Sequence, residues 1–217
     1  MRGYHADVNL VARVVSVLFA AAVLTACGSI HPGAAVVVDG ESISMKTLDE
    51  RAEVMCLVSQ ATSQQTQPTD NATVRRNAAG MLVLERIAAE VVKDQNLTID
   101  QDLVALPSST QDQVSELFGD RADDVLDVLN DQQRLYAQFV AIGAAQTGRT
   151  PNADILDPLA QEGQTYVQDA FADHGVEFAS RLGMAEDGSV LAGFGSLSVS
   201  PPDADTSPAT ALATCSS

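Results

Sequence analysis

The chain has 217 residues, 12 of them basic and 29 acidic, for a formal net charge of −17. That balance argues against nucleic acid, because phosphate recognition draws on clustered Lys and Arg and here only Arg75 and Arg76 are adjacent. Hydrophobic residues make up 46% of the chain but aromatic ones only 4%, with no Trp, so the length holds one domain with tails around an aliphatic core.

Arg2 and Arg13 precede an apolar run, Val14 to Leu24, closed by Thr25, Ala26 and Cys27. This is the pattern of a signal peptide, and the run is about half the roughly 20 residues a membrane-spanning helix needs. Leu24-Thr25-Ala26-Cys27 resembles the bacterial lipobox. The resemblance implies cleavage after residue 26, diacylation of Cys27, and anchoring of the chain to the extracytoplasmic face of the cell membrane; two acyl chains suffice for stable anchoring where one is marginal. The bland alternative is a secretory peptide with an incidental Cys27. Cleavage removes Arg2, Arg13 and Asp7 and leaves 10 basic and 28 acidic residues, net −18, a charge that reads as a solubility device and names no ligand.

If Cys27 is lipidated, Cys56 and Cys215 remain. An even pair outside the reducing cytosol suggests one disulfide, with stabilisation of up to about 5 kcal/mol on a chain-entropy basis. Two unpaired thiols, one in a helical core and one in a tail, are the alternative.

Residues 27–33 read as a lipidated tether. Ala34 to Val38 is β-branched and apolar, and Asp39-Gly40 followed by Glu41 to Ser44 predicts a hairpin. Ser44 is a good N-cap for a helix whose Leu48, Ala52, Met55, Cys56 and Ser59 recur at helical spacing. The period lapses between Ser59 and Thr73, where Asn71-Ala72-Thr73 matches a glycosylation sequon but is better placed as a helix cap. Ala78, Met81, Leu84, Ile87, Ala88 and Val91 predict a long amphipathic helix ending near Asn96. Gln111 to Phe118 predicts a short helix stopped by Gly119. Asp120 is then expected to cap a helix carrying Val125, Val128, Leu129, Gln132, Leu135, Tyr136, Phe139 and Ile142. Thr150-Pro151 is expected to open a last helix with Ile155, Leu156, Leu159, Tyr166, Val167, Ala170 and Phe171 on its stripe, ended by Asp173-His174-Gly175. Val176 to Ser180 reads as a strand, and 201–217 as a Pro/Ser/Thr-rich tail.

The order hairpin, several long helices, then a helix feeding a terminal strand resembles the SurA N-terminal chaperone domain, shared by SurA and PrsA and, in related form, by trigger factor. Val36-Val37-Val38-Asp39-Gly40-Glu41-Ser42-Ile43-Ser44 through Asp49 carries the opening, and His174-Gly175-Val176-Glu177-Phe178-Ala179-Ser180-Arg181-Leu182-Gly183 the closing likeness, with Leu182 where an aromatic is common. The resemblance implies a mainly α fold with a small β element, a bundle of long amphipathic helices whose N- and C-terminal strands pair, over 34–200. The space after Phe171 is too short for a parvulin isomerase module. Unfolded or extended secreted polypeptides are the implied partners, held without catalysis; an envelope scaffold with one dedicated protein partner is the alternative.

No catalytic constellation, metal set or cofactor motif is found in the sequence. His5, His31 and His174 are scattered, and His174, at a helix C-terminus, reads as a cap. Asp120, Asp123, Asp124 and Asp127 share a helix side and could hold Ca2+, but no Asp-x-Asp-x-Asp-Gly loop is present and a solvated acidic face is expected. Gly193-Phe194-Gly195 lacks the context and the Lys of a phosphate loop.

Overall fold

The computed structural model describes residues 32–62 and 70–191. The signal segment, Cys27, His5, His31, Gly193-Phe194-Gly195, Cys215 and the tail lie outside the described residues. The chain divides into two compact units between Pro32 and Gly33, and every element below belongs to the second. This unit is mainly helical with one small antiparallel sheet.

Three strands, β1 (Ala34–Val38), β2 (Glu41–Ser44) and β3 (Val176–Phe178), pair in the order β2-β1-β3. The β1–β2 link is the expected two-residue turn, with φ of 50° at Asp39 and 83° at Gly40. Positive φ at both positions matches the right-handed twist of the strands, and Asp and Gly tolerate it best. On the other edge Val36 faces Phe178 and Val38 faces Val176, so the last strand closes against the first. As the central strand β1 is buried on both faces, which is why it reads as an unbroken apolar run rather than an alternating one.

Ser44 accepts a 3.0 Å bond from the Thr47 amide and caps α1 (Met45–Thr62) as expected. Next come α2 (Asn71–Asp94), a single turn α3 (Gln101–Val104), α4 (Ser108–Phe118), α5 (Ala122–Thr147) and α6 (Leu156–Ala170). Their boundaries differ from the sequence reading in five places, the simplest being α4, which begins at Ser108 rather than Gln111. Asp70, rather than the sequon, caps α2 through the Thr73 amide. Asp100 caps the unforeseen turn α3. Gly119 takes a positive φ and begins a 3-10 turn through Arg121, so α5 starts at Ala122 and Asp120 is not its cap. Asn152, bonding the Asp154 amide, rather than Thr150-Pro151, opens the turn that leads into α6.

The main core joins the inner side of the sheet to α1, α2, α5 and α6, with Leu48, Ile87, Ile142, Leu159 and Val167 fully enclosed. A smaller cluster unites Val54 of α1 with Val114 of α4 and Val125 and Val128 of α5. Phe171 stacks on Phe178 with ring centroids 6.5 Å apart, fastening the end of α6 to β3. Among the described residues no helix is long and apolar enough to cross a membrane.

Two features hold the long helices in place. The first is a contact of bare backbone between α5 and α6. A Cβ built on Gly143 would lie 1.9 Å from the Leu159 carbonyl oxygen and 3.0 Å from the Gly163 amide; one on Gly163 would lie 2.0 Å from the Phe139 carbonyl oxygen. Backbone cannot swing aside as a side chain can, so any larger residue forces the helices apart. Gly143→Ala and Gly163→Ala are therefore expected to destabilise the fold by about 1–3 kcal/mol each despite the better helix propensity of Ala. Gly80, in α2, has open space where a Cβ would stand, with no neighbouring atom within 4 Å. Gly80→Ala should stabilise by roughly 0.5–1 kcal/mol, read by urea denaturation of the three variants.

The second is a buried charge cluster. Arg51 of α1, only 9% exposed, grips Glu85 of α2 with two bonds of 3.0 and 3.3 Å and Asp131 of α5 with one of 2.6 Å. Burial, partly offset by the Arg51 charge, pushes the Glu85 carboxyl above its ordinary value. Removing one member strands the others, so Arg51→Leu should cost about 3 kcal/mol, whereas Arg51→Met with Glu85→Leu should cost far less. Because the folded-state value is raised, the contribution of Glu85 is fully present below its unfolded value and fades as pH rises through the folded one. The wild type's stability relative to Glu85→Gln should accordingly decline as pH rises from 4.5, measured by denaturation at successive pH values.

Candidate polypeptide-binding groove

The sequence stripes of α2, α5 and α6 are expected to face the core, and most of their residues do. A subset instead lines an open groove of about 610 Å³. Met81 and Leu84 enter it from α2, Leu135, Tyr136 and Phe139 from α5, and Ala160 from α6. Leu135, Phe139 and Ala160 are buried and form its floor; Met81, Leu84 and Tyr136 are half-buried walls. Gln132, Asp157, Gln161 and Gln164 are exposed and form a polar rim.

The rim has its own helical logic. Asp157, Gln161 and Gln164 follow at spacings of four and three along α6, a polar row beside its apolar stripe. Tyr136 donates its hydroxyl to Asp157 Oδ1 at 2.8 Å. Burial first, and the Asp157 carboxylate second, push the Tyr136 phenol above its ordinary value. It therefore stays a neutral donor, and one oxygen of the only carboxylate among the described lining residues is occupied. Each Gln amide offers two donors and an acceptor, the set that an extended backbone needs from a partner. Apolar walls with peptide-matching amides at the rim can take up a side chain and hold its main chain; the described lining residues present no activated nucleophile.

A second cleft of about 590 Å³ lies between α1 and the start of α5, lined by charge. Both of its arginines are already paired: Arg51 with Asp131, and Arg121 with Glu53 and Asp124, both at 2.7 Å. Asp123 and Asp127 are exposed, in keeping with a solvated acidic face, and Asp120 sits apart from them in the 3-10 turn.

Of the residues singled out in the sequence, Cys56 lies half-buried on α1 against the main core, while its expected partner Cys215 and the lipidation residue Cys27 are outside the described residues. His174 stands at the C-cap of the 3-10 turn Phe171–Asp173 that continues α6, as its position in the sequence leads one to expect, but its imidazole turns to two carboxylates. Its backbone is extended, and its Nδ1 lies 2.5 Å from Asp39 Oδ2 and 3.6 Å from Glu90 Oε2. That cluster is invisible in the sequence because its members come from three distant segments. Two of the rim glutamines, Gln161 and Gln164, are legible there, since their spacing follows the period of α6. No protein-family model, curated protein or solved structure matches the chain.

Proposed function

We propose that this chain is a lipid-anchored extracytoplasmic protein that holds unfolded or extended segments of secreted polypeptides without catalysis, in the manner of a SurA N-terminal-like chaperone domain. The observation that carries the reading is the groove: three long helices leave an apolar floor and walls that no described part of the chain fills, rimmed by three amides. Its volume lies within the range of about 300–1,000 Å³ usual for ligand sites. The hairpin and the late strand that pairs beside it support the SurA-like reading of the fold, since those are the segments on which the sequence resemblance rests. A net charge of −17 favours clients that are neutral or basic.

The test is aggregation of a reduced, unfolded client with and without the form lacking residues 1–27. Near-equimolar protein should suppress light scattering, and Leu84→Gln, which keeps the size of the wall but makes it polar, should weaken client affinity by roughly fivefold, about 1 kcal/mol. Circular dichroism confirms that the variant is folded. No suppression by the parent protein would remove the holdase reading; a single partner captured by membrane cross-linking would favour the dedicated scaffold.

Anchoring and the staple are tested on the mature product. Mass spectrometry should find residue 27 as an acylated N-terminal cysteine, and Cys27→Ala should move the chain from the membrane to the soluble fraction. Peptide mapping without reductant should join Cys56 to Cys215; bare thiols at both would discard the disulfide.

A further inference from the structure

Away from the groove, and sharing no residue with it, three segments bring potential ligands together. Asp39 stands at the β1–β2 turn, Glu90 on the last turns of α2, and His174 between α6 and β3. One ligand atom from each lies within 4.8 Å of the others. We infer that Asp39, Glu90 and His174 form a binding site for a borderline divalent transition cation such as Zn2+, which locks β3 and the end of α6 to the hairpin and α2.

The argument rests on how the carboxylates are held. Asp39 Oδ1 accepts the Gly175 amide at 3.0 Å, leaving Oδ2 turned to the imidazole. Glu90 Oε1 accepts Arg86 Nε at 2.7 Å, leaving Oε2 turned to the same imidazole. Arg86 is fixed in turn by Glu41 on β2. Each carboxylate thus has one oxygen tied by an outer donor and the other convergent on His174 Nδ1, which is how outer partners orient the ligands of a metal site. A turn with positive φ at Asp39 and the backbone bond from its amide to the Gly175 carbonyl, 3.1 Å, fix the approach of the two segments independently of any side chain.

Charge and geometry agree with this assignment. Glu41, Asp39 and Glu90 against Arg86 leave two negative charges with a neutral imidazole, the complement of one divalent ion. A nitrogen with two carboxylate oxygens suits Zn2+, Fe2+ or Mn2+ rather than an all-oxygen Ca2+ cage. Ligand atoms around a tetrahedral ion with bonds of about 2.0–2.1 Å stand roughly 3.3 Å apart. The 3.6 Å spacing of His174 and Glu90 is close to that, and the 2.5 Å spacing of His174 and Asp39 must open by less than an ångström. On binding, the proton between Nδ1 and Oδ2 leaves Nδ1 and a neutral imidazole carries it on Nε2, so no redox partner is required. Asp39 is 43% exposed, which leaves the ion an entrance and room for water in the remaining positions.

The experiment uses the purified full chain in detergent, stripped with chelator and titrated with ZnCl2, and in parallel with CaCl2, by calorimetry and thermal denaturation. One Zn2+ should bind per chain and raise the melting temperature by roughly 5–10 °C at a hundredfold excess over Kd. Glu90→Gln, nearly isosteric, should weaken Zn2+ at least tenfold, and His174→Ala should remove the site, while Asp123→Asn with Asp124→Asn should leave affinity unchanged. Failure to bind Zn2+, retention of full affinity in Glu90→Gln, or an equal response to Ca2+ would each overturn the assignment.

Discussion

The approach of α5 to α6 is the constraint from which the rest of the helical body follows. Two glycines let the helices meet through their carbonyl oxygens and amides, with no side chain between them. Phe139, whose carbonyl Gly163 touches, also lines the groove, and so does Ala160, the neighbour of Leu159. The groove therefore begins where the close contact ends. Ala160 contributes one methyl group on the α6 side, too little to fill the space that Met81, Leu84 and Tyr136 enclose. Small residues that bring two helices together thus also leave the third helix with apolar side chains that are only half covered. A larger residue at position 160 would cover more of that surface and leave less of it open.

The sheet solves a different problem, that of bringing the early and late parts of the unit to one place. β1 is hydrophobic throughout and has to be covered on both faces and both edges. β2 covers one edge through a two-residue turn, the closure that costs a chain least. β3 arrives from beyond α6 and covers the other, so this edge is closed by a pairing between segments far apart in the chain. The stacked pair Phe171 and Phe178 and the Asp39–His174 contact secure that late arrival from both ends of β3. The Arg51 cluster makes the corresponding link among helices, since one guanidinium joins α1, α2 and α5.

What is legible in the sequence follows the range of the interactions involved. The Asp-Gly turn, the Ser44 cap and the stripes of α2 and α5 depend on neighbours within a few residues, and each is plain in the sequence. Asp120 departs from its expected role as a cap for an equally local reason. Gly119 stops α4, as its position predicts, yet its positive φ also starts a 3-10 turn that consumes Asp120 and Arg121 before α5 begins. The helix-facing glycines carry no signal of their own, because a glycine at backbone contact and one in open space, such as Gly80, look alike until the partner helix is placed. The Asp39–His174 pair spans 135 positions, and Glu90 joins it only through the packing of α2 on the sheet. The groove stands at an intermediate range: Met81, Leu84, Leu135, Tyr136 and Phe139 all lie on predicted stripes, but whether a stripe is covered depends on the volumes facing it, and periodicity is silent about volume.

Charge acts on the surroundings of the open apolar groove at longer range than the groove's own contacts do. At a net −17, copies repel at distances comparable to the screening length, about 8 Å at physiological ionic strength. The groove lining contributes one carboxylate to that field, Asp157, and the Tyr136 hydroxyl occupies one of its oxygens. Self-association is thus opposed by long-range repulsion, while a neutral or basic segment meets apolar walls with little local charge to desolvate. Adding carboxylates to the rim would strengthen the first effect only by weakening the second, because each would have to lose water before an apolar side chain could enter. Amides are the compromise: glutamines at the rim keep the groove wet and offer hydrogen bonds to a peptide, without adding the desolvation cost of a full charge.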